Sequence, residues 1–155
     1  MRTNERTMRD IVVRRARDDE SDAVAALFRL SKQTAMPYLT NLHTPDEDVV
    51  YFGALIQFGE LWVAEAGGVL VGFCVFNMGE VDHLFVHPAH QRTGIGSALL
   101  RKAKDAFDKL ELWTFQRNEI AIRFYEHHGF SVVERTDGRD NEEREPDVRL
   151  AWERS

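Results

Sequence analysis

The sequence has few of the features that mark secreted, membrane or nucleic-acid-binding proteins. Cys74 is the only cysteine, so no disulfide can form within the chain, and a reducing cytoplasm is the expected compartment. No apolar run approaches the roughly 20 residues of a membrane span, and polar residues 1–10 lack the apolar core of a secretory signal. The net charge of −6 argues against a nucleic-acid partner, which would favour a basic surface. We therefore expect no nucleic-acid partner and no membrane partner.

What the chain does contain is typical of one globular domain. Its 155 residues are enough for a single hydrophobic core and too few for two ordinary domains. We assign residues 1–8 to a flexible leader and residues 9–155 to the domain. An apolar content of 43% excludes a disordered chain. The mildly acidic balance is compatible with a cationic substrate such as an amine.

Hydrophobic periodicity and turn residues predict a mixed α/β domain with the element order βααβββαβαββ. The predicted strands cover residues 11–16, 61–65, 69–76, 81–87, 110–115, 130–134 and 148–152. The first helix should be capped by Asp18 or Asp19, and the second should begin with a capping box formed by Thr44 and Glu47. The fourth should begin after Asn118. The third follows a glycine turn and should bury one face, made of Leu99, Ala103, Ala106, Phe107 and Leu110.

Residues 81–100 combine an apolar strand, a polar turn with Gly94 and Gly96, and a helix start. Backbone N–H groups at a helix start have no partner within the helix and can hold an anion. The turn lacks the third glycine of the dinucleotide fingerprint and the Gly-Lys-Ser/Thr of a P-loop. The alternative is a turn that serves only tight strand–helix packing.

Two motifs in the C-terminal half resemble those of a known family. Gln91-Arg92-Thr93-Gly94-Ile95-Gly96 resembles the Q/R-x-x-G-x-G/A signature of the GNAT superfamily of acyl-CoA-dependent N-acyltransferases. Residues 84–88 resemble the strand that leads into it. Residues 118–130 resemble the second signature, N-x-x-A-x-x-F-Y-x-x-x-G-F. The predicted element order matches the rest of the family's domain.

The resemblance implies a mostly antiparallel central sheet of about seven strands flanked by four helices. It also implies acetyl-CoA as co-substrate, with direct acetyl transfer to an amine. The implied coenzyme-binding residues are Leu84, Phe85, Val86, Gln91, Arg92, Thr93, Gly94, Ile95, Gly96, Ser97, Asn118, Ala121 and Phe124. Within this set, the backbone of Phe85 and Val86 would guide the pantetheine arm. The amides of residues 92–97 would hold the pyrophosphate, with Arg92 either adding charge or remaining a solvated surface residue.

The resemblance places the family's general acid at Tyr125, with a packed core aromatic as the alternative. For the base, Glu80 and Asp82 match the zone where some family members keep a carboxylate, whereas His83 has the better intrinsic pKa. Ordered water without a dedicated base is a further alternative. Strict alternation puts Glu80, Asp82, Leu84 and Val86 on one face of the strand, and His83, Phe85 and His87 on the other.

We predict no metal site, because His83 and His87 would lie about 13 Å apart on a strand with ~3.3 Å per residue. Cys74 is expected to be a small core residue. The resemblance also implies that the acceptor pocket involves residues 36–39 and the loop 136–146, because the first helix pair and the last hairpin of the family's fold flank the thioester. An acidic rim is expected from Asn141, Glu142, Glu143 and Asp147.

The acceptor amine could belong to a small metabolite, an antibiotic or a peptide. Two other functions remain open: an acyl-CoA sensor of the same fold with little turnover, and a dimerisation domain that pairs through an exposed strand edge. Homodimerisation is an expectation taken from the resemblance.

Overall fold

The computed structural model describes residues 10–155, so the predicted leader over residues 1–8 lies outside the described part. The strands are β1 Ile11–Arg15, β2 Glu60–Ala66, β3 Val69–Asn77, β4 Glu80–Val86, β5 Lys109–Phe115, β6 Ser131–Arg135 and β7 Asp147–Glu153. The helices are α1 Ser21–Ala35, α2 Pro45–Phe58, α3 Ile95–Ala106 and α4 Glu119–His127. Short 3₁₀ turns occupy Asp18–Glu20 and Pro88–His90. The predicted mixed α/β order is confirmed.

All seven strands form one sheet in the order β1-β2-β3-β4-β5-β7-β6. Every neighbouring pair is antiparallel except β4 and β5, which are parallel. These two strands pair at a single position, Glu80 opposite Glu111, and then diverge. The mostly antiparallel sheet is therefore confirmed, and it is split at its centre.

The sheet carries a separate hydrophobic cluster on each face. On one face, α3 and α4 pack through residues such as Leu99 and Tyr125 against β-strand residues that include Leu150. On the other face, α1 and α2 pack through Val24 and Phe52 against β2 and β3. Two helix layers thus sandwich the sheet, each covering part of it. No helix among residues 10–155 is long and apolar enough to cross a membrane.

Helix α2 begins as its sequence predicts. The Glu47 N–H donates to Thr44 Oγ1 at 3.1 Å, and the Thr44 N–H donates to Glu47 Oε1 at 2.8 Å. This reciprocal pair satisfies two of the amides that a helix start leaves without partners.

The predicted cap of α1 is wrong. Asp18 and Asp19 lie in the 3₁₀ turn, and no side chain caps α1. The carboxylate of Glu20 performs a different task, because it accepts the Arg17 N–H at 2.7 Å and both terminal nitrogens of the Arg14 guanidinium at 2.8 Å. These bonds fix the connection between β1 and α1.

The predicted buried face of α3 is partly wrong. Leu99 and Ala103 are buried, but the helix ends at Ala106, which is exposed. Phe107 is the C-cap, and Leu110 belongs to β5. The apolar spacing therefore runs across the turn into the next strand, and periodicity alone cannot separate the two.

Candidate active site

The split between β4 and β5 leaves one edge of β4 without a strand partner. After Glu80, the described chain gives β4 hydrogen-bonded neighbours only on the β3 side. The backbone at Leu84, Phe85 and Val86 therefore borders a cleft, as an edge strand that an extended ligand can join. In the structure, the Gln91 side-chain amide donates to the Val86 carbonyl at 3.4 Å.

A tight turn connects β4 to α3. His87 Nδ1 accepts the Ala89 N–H at 3.0 Å, and the Thr93 hydroxyl donates to the His90 carbonyl. Arg92 has a left-handed φ of +64°, and Gly94 has a φ of +84° at the N-cap. Positive φ costs a non-glycine residue energy, so the glycine suits the helix start.

The first turn of α3 is not capped by any side chain, since its N-cap is Gly94. Helix α2, by contrast, has its amides capped by Thr44 and Glu47. The N–H groups of Ile95, Gly96 and Ser97 have no intrahelical acceptor, and the helix dipole adds partial positive charge. This end of the helix, beside the cleft, can hold an anion of the kind a pyrophosphate provides.

Two glycines allow close packing around this turn. A Cβ at Gly96 would lie 3.2 Å from two ring atoms of Phe124 on α4. A Cβ at Gly72 on β3 would lie 3.1 Å from both Ile95 and Leu99. The sequence predicts that Gly96 allows a ligand to approach the backbone. In the structure, the space that a Cβ of residue 96 would occupy is bordered by the Phe124 ring. Gly96 therefore lets α4 lie against α3.

The other predicted coenzyme residues near α4 contribute caps and packing in the structure. Asn118 Oδ1 accepts the Ala121 N–H at 3.3 Å and caps the helix. The Phe124 ring lies 4.5 Å from the His128 ring. The Ser97 hydroxyl hydrogen-bonds His128 Nε2 at 3.0 Å, so a side-chain contact also ties the start of α3 to the end of α4.

Tyr125 is 7% exposed and lies between Phe124 and Phe130 at ring distances of 5.3 and 5.5 Å. Burial, and next the nearby Cys74, raise the pKa of the phenol well above its ordinary value. Cys74 is fully buried, and burial followed by Asp82 raises the pKa of its thiol. Cys74 is therefore a core residue, and it lies within electrostatic range of both Tyr125 and Asp82.

The predicted alternation along β4 is correct from His83 to Val86 and wrong before His83, because the strand contains a bulge. The pairing with β3 shifts between Val75 and Phe76, where Val75 faces His83 and Phe76 faces Val81. Val81 and Leu84 consequently pack in the same core cluster, although strict alternation puts them on opposite faces. Asp82 is the extra residue. Bulges of this kind re-aim side chains next to active sites.

The three predicted base residues have different surroundings. Asp82 is exposed, yet burial of its carboxyl by the neighbouring protein, and next the charge of Glu80, raise its pKa to about 6. His83 points to the α1–α2 side, where the rings of Phe28, Tyr51, Phe52, Phe73 and Phe85 surround it. Its Nε2 lies 2.9 Å from the Tyr51 hydroxyl. Burial, and next the charge of Lys32, lower the pKa of His83 to about 4.

A cavity of about 260 Å³ lies beside His83 and is named here the α1–α2 pocket. Its lining consists of Phe28, Arg29, Lys32, Asn41, Leu42, His43, Glu47, Asp48, Tyr51, His83, Glu142 and Glu143. The α1–α2 connection and the β6–β7 loop meet over it, where His43 Nε2 lies 2.7 Å from Glu142 Oε1.

Only some of the residues predicted for the acceptor region line this pocket. Glu142 and Glu143 line the pocket, but Asn141 and Asp147 hydrogen-bond each other within the β6–β7 loop. Residues 36–39 do not line it; their place is taken by residues 41–43. Tyr38 instead packs under the Arg117 guanidinium, whose central carbon lies 4.2 Å from the centroid of the tyrosine ring.

The sequence reasoning missed Arg29, Lys32 and Tyr51, which line the pocket from α1 and α2. Lys32 lies one turn after Phe28 and Arg29, so the helical spacing places these three side chains together. No local motif marks them, because the pocket forms only when two helices and a distant loop meet. In the described part of the chain, no group of three or more His, Cys, Asp or Glu side chains could hold a metal ion.

Comparison with known proteins assigns the family. A family model described as an acetyltransferase (GNAT) domain matches residues 57–132. The chain is 30% identical over 124 residues to the peptidyl-lysine N-acetyltransferase YiaC of Escherichia coli, covering 79% of this chain and 85% of that protein. The chain belongs to the GNAT acetyltransferase family. It is accordingly an N-acetyltransferase enzyme, as the sequence motifs predict.

Solved structures agree with this GNAT fold. The apo form of YjaB from Escherichia coli is 26% identical, with a TM-score of 0.73, and covers 94% of this chain and 99% of that one. YncA of Salmonella typhimurium, described as a putative acetyltransferase with its cofactor acetyl-CoA, is 19% identical, with a TM-score of 0.72 and 94% coverage of both chains. The second similarity concerns the fold alone. The overall fold is thus shared with other solved GNAT structures.

Proposed function

We propose that this GNAT enzyme transfers the acetyl group of acetyl-CoA to a primary amine held in the α1–α2 pocket. The observation that carries the proposal is the uncapped start of α3 beside the β4–β5 cleft. Acetyl-CoA supplies the acetyl group as a thioester. The first-turn amides of α3 hold its pyrophosphate, and the backbone of Phe85 and Val86 binds its extended arm. Structural neighbours described with coenzyme A or acetyl-CoA support this choice of co-substrate.

Asp82 is the proposed general base. Its pKa of about 6 leaves it largely ionised at neutral pH and still able to accept a proton. The pKa of His83, about 4, makes the imidazole a much weaker proton acceptor. Asp82 takes a proton from the ammonium of the acceptor, directly or through one water. The freed amine then forms the N–C bond.

Tyr125 is the proposed general acid. Its raised pKa keeps the phenol protonated at neutral pH. As the C–S bond breaks, Tyr125 Oη donates its proton to the departing sulfur. The nitrogen loses its second proton to solvent as the amide forms, Tyr125 regains a proton from solvent, and Asp82 releases its own. The products are the amide, the free thiol of CoA and one proton.

Two classes of amine are candidates for the acceptor. The similar YiaC and YjaB proteins of Escherichia coli are named peptidyl-lysine N-acetyltransferases. A lysine side chain of a peptide is therefore one candidate acceptor, and small-molecule amines are the other. The exposed acidic side chains of Glu142 and Glu143 at the pocket suit a cationic acceptor of either kind.

A thermal-shift assay tests coenzyme binding. At 100 times its Kd, acetyl-CoA should stabilise the fold by about 2.7 kcal/mol, which raises Tm by about 5–10 °C in a domain of this size. ATP and NAD at the same concentration should raise it by much less. Absence of a shift with acetyl-CoA would contradict the proposed coenzyme site.

Thiol release across an amine panel then separates an enzyme from a sensor. Tyr125→Phe should lower kcat by about 100-fold at saturating acetyl-CoA, because it removes the proton donor. Tyr38→Phe is the matched control, since its hydroxyl is also buried but has no hydrogen-bond partner in the described structure. Unchanged kcat in Tyr125→Phe refutes the acid assignment. Binding without release from any amine favours a sensor.

A further inference from the structure

Among the described residues, one cation in the α1–α2 pocket has no carboxylate partner. Arg29 pairs with Asp48 and also donates to the His43 carbonyl at 3.2 Å. Lys32 makes no ion pair with any residue in the range 10–155. Its ammonium lies over the Phe28 ring instead, 5.3 Å from the centroid. Within residues 10–155, the charge of Lys32 is therefore not neutralised by an ion pair.

None of the carboxylates that line the pocket forms an ion pair with Lys32 in the described structure. Glu47 accepts the Thr44 N–H as part of the capping box, and Glu142 lies against His43. Glu142 and Glu143 come from the β6–β7 loop, whereas Lys32 comes from α1. The lining thus has acidic groups from α2 and from the β6–β7 loop, and its two basic side chains on α1 are Arg29, which is paired with Asp48, and Lys32.

The position of Lys32 relative to the proposed base, Asp82, indicates which kind of ligand the pocket can bind. Lys32 and His83 both line the α1–α2 pocket, and His83 directly follows Asp82 on β4. A ligand that reaches from Lys32 past His83 to Asp82 carries its anionic group close to its reacting amine.

We propose that the acceptor is a free amino acid or a close analogue, whose carboxylate binds Lys32 while its α-amine is acetylated. A carboxylate carries one negative charge and matches one unpaired cation. A phosphate carries a charge of about −1.5 to −2 at neutral pH and would need a second cation, but Arg29 is already engaged by Asp48. The volume of about 260 Å³ is below the roughly 300 Å³ at which small-molecule sites usually begin, so a small acceptor fits.

This inference rests on the proposed N-acetyltransferase activity and narrows its acceptor. A lysine within a peptide has its reacting amine at the end of a long side chain, far from any carboxylate of its own. A simple alkylamine has no carboxylate, so it also leaves the charge of Lys32 without a partner. The inference therefore separates free amino acids from peptidyl lysine and from simple alkylamines.

The test compares acceptors that differ only in charge. Free amino acids with apolar, acidic and basic side chains are each paired with their carboxamides, and kcat/KM is measured by thiol release. The carboxylate form should be preferred by about 10- to 100-fold, as expected for one hydrogen bond to a charged group. The amine of the carboxamide is less basic, so a larger fraction of it is neutral at a given pH. A larger supply of neutral amine therefore cannot explain a preference for the carboxylate form.

Variants of Lys32 identify the residue responsible. Lys32→Met should lower kcat/KM for the carboxylate form to the level of the carboxamide, chiefly through KM, and leave the carboxamide unchanged. Lys32→Arg keeps the charge and should retain the preference. Lys102→Met is the matched control, because Lys102 also lies over an aromatic ring, 4.7 Å from the centroid of Trp62, but does not line the pocket.

Each outcome distinguishes this inference from the proposed function. Equal acetylation of both acceptor forms overturns the inference, as does an equal loss for both forms in Lys32→Met. Acetylation of peptidyl lysine or alkylamines alone also overturns it, while the proposed activity stands. Absence of acetyl-CoA binding and of turnover with every acceptor would refute the proposed function itself.

Discussion

Two glycines in helices give the most direct test of how α3 is positioned. Gly53 lies in α2, and a Cβ there would meet only Ser21, at 3.7 Å. Gly96 lies in the first turn of α3, and a Cβ there would meet the Phe124 ring at 3.2 Å and Val86 at 3.7 Å. Gly→Ala is the same chemical change at both positions, so the two variants differ mainly in packing.

The magnitudes follow from these contacts. Alanine is favoured over glycine in a helix by about 1 kcal/mol, so Gly53→Ala should raise Tm by about 2–4 °C. At Gly96 the added methyl must push the Phe124 ring by a few tenths of an ångström, and such overpacking costs about 1–3 kcal/mol. That cost offsets or exceeds the helix gain, so the Tm of Gly96→Ala should be unchanged or lower.

Coenzyme affinity provides the second measurement. Moving α3 against α4 displaces the amides of its first turn, and a loss of about 1 kcal/mol there weakens the Kd for acetyl-CoA by about five-fold. Titration calorimetry on both variants measures this, with Gly53→Ala expected to match the wild type. If Gly96→Ala gains as much stability as Gly53→Ala and binds acetyl-CoA as tightly, the close contact between Gly96 and Phe124 is refuted.

Three further predictions concern charge and capping. Glu20→Gln should lower the free energy of unfolding by about 1–2 kcal/mol at pH 7, because the hydrogen bond from Arg14 holds the pKa of Glu20 at about 2. Urea denaturation at several pH values should show the difference between variant and wild type disappearing as the pH falls from about 4.5 to 2. Asp82→Asn should remove the rise of kcat/KM with pH near 6, and an unchanged pH profile would exclude Asp82 as the base. Thr44→Ala should cost about 1 kcal/mol in urea unfolding, with kcat retained; no loss of stability would contradict the cap.

The parts of the fold that the sequence predicts correctly are those that depend on local chemistry. The Thr44 capping box is written in four consecutive residues, and the structure has both of its hydrogen bonds. The turn at Gly94 needs a positive φ and an uncapped helix start, which glycine supplies on its own. The two family motifs, in turn, predict the arrangement of the whole domain.

The predictions that fail depend on contacts between distant residues. The bulge in β4 arises from its pairing with Val75 and Phe76 on β3, and no residue of β4 signals it alone. Neither Asp18 nor Asp19 caps α1, because the connection to β1 is fixed by the bond between Glu20 and Arg14. In the same way, the α1–α2 pocket combines side chains that lie more than a hundred residues apart in the chain, such as Phe28 and Glu142.

The proposed base shows how such contacts change the acid–base properties of a side chain. In water, a histidine has a pKa near 6.5 and an aspartate near 3.9, so sequence alone favours His83 over Asp82 for accepting a proton at neutral pH. The fold reverses this order. Aromatic rings and Lys32 lower the pKa of His83 to about 4, while partial burial beside Glu80 raises that of Asp82 to about 6. Two adjacent residues on one strand thus have different surroundings, and their pKa values support the proposal that Asp82, and not His83, is the base.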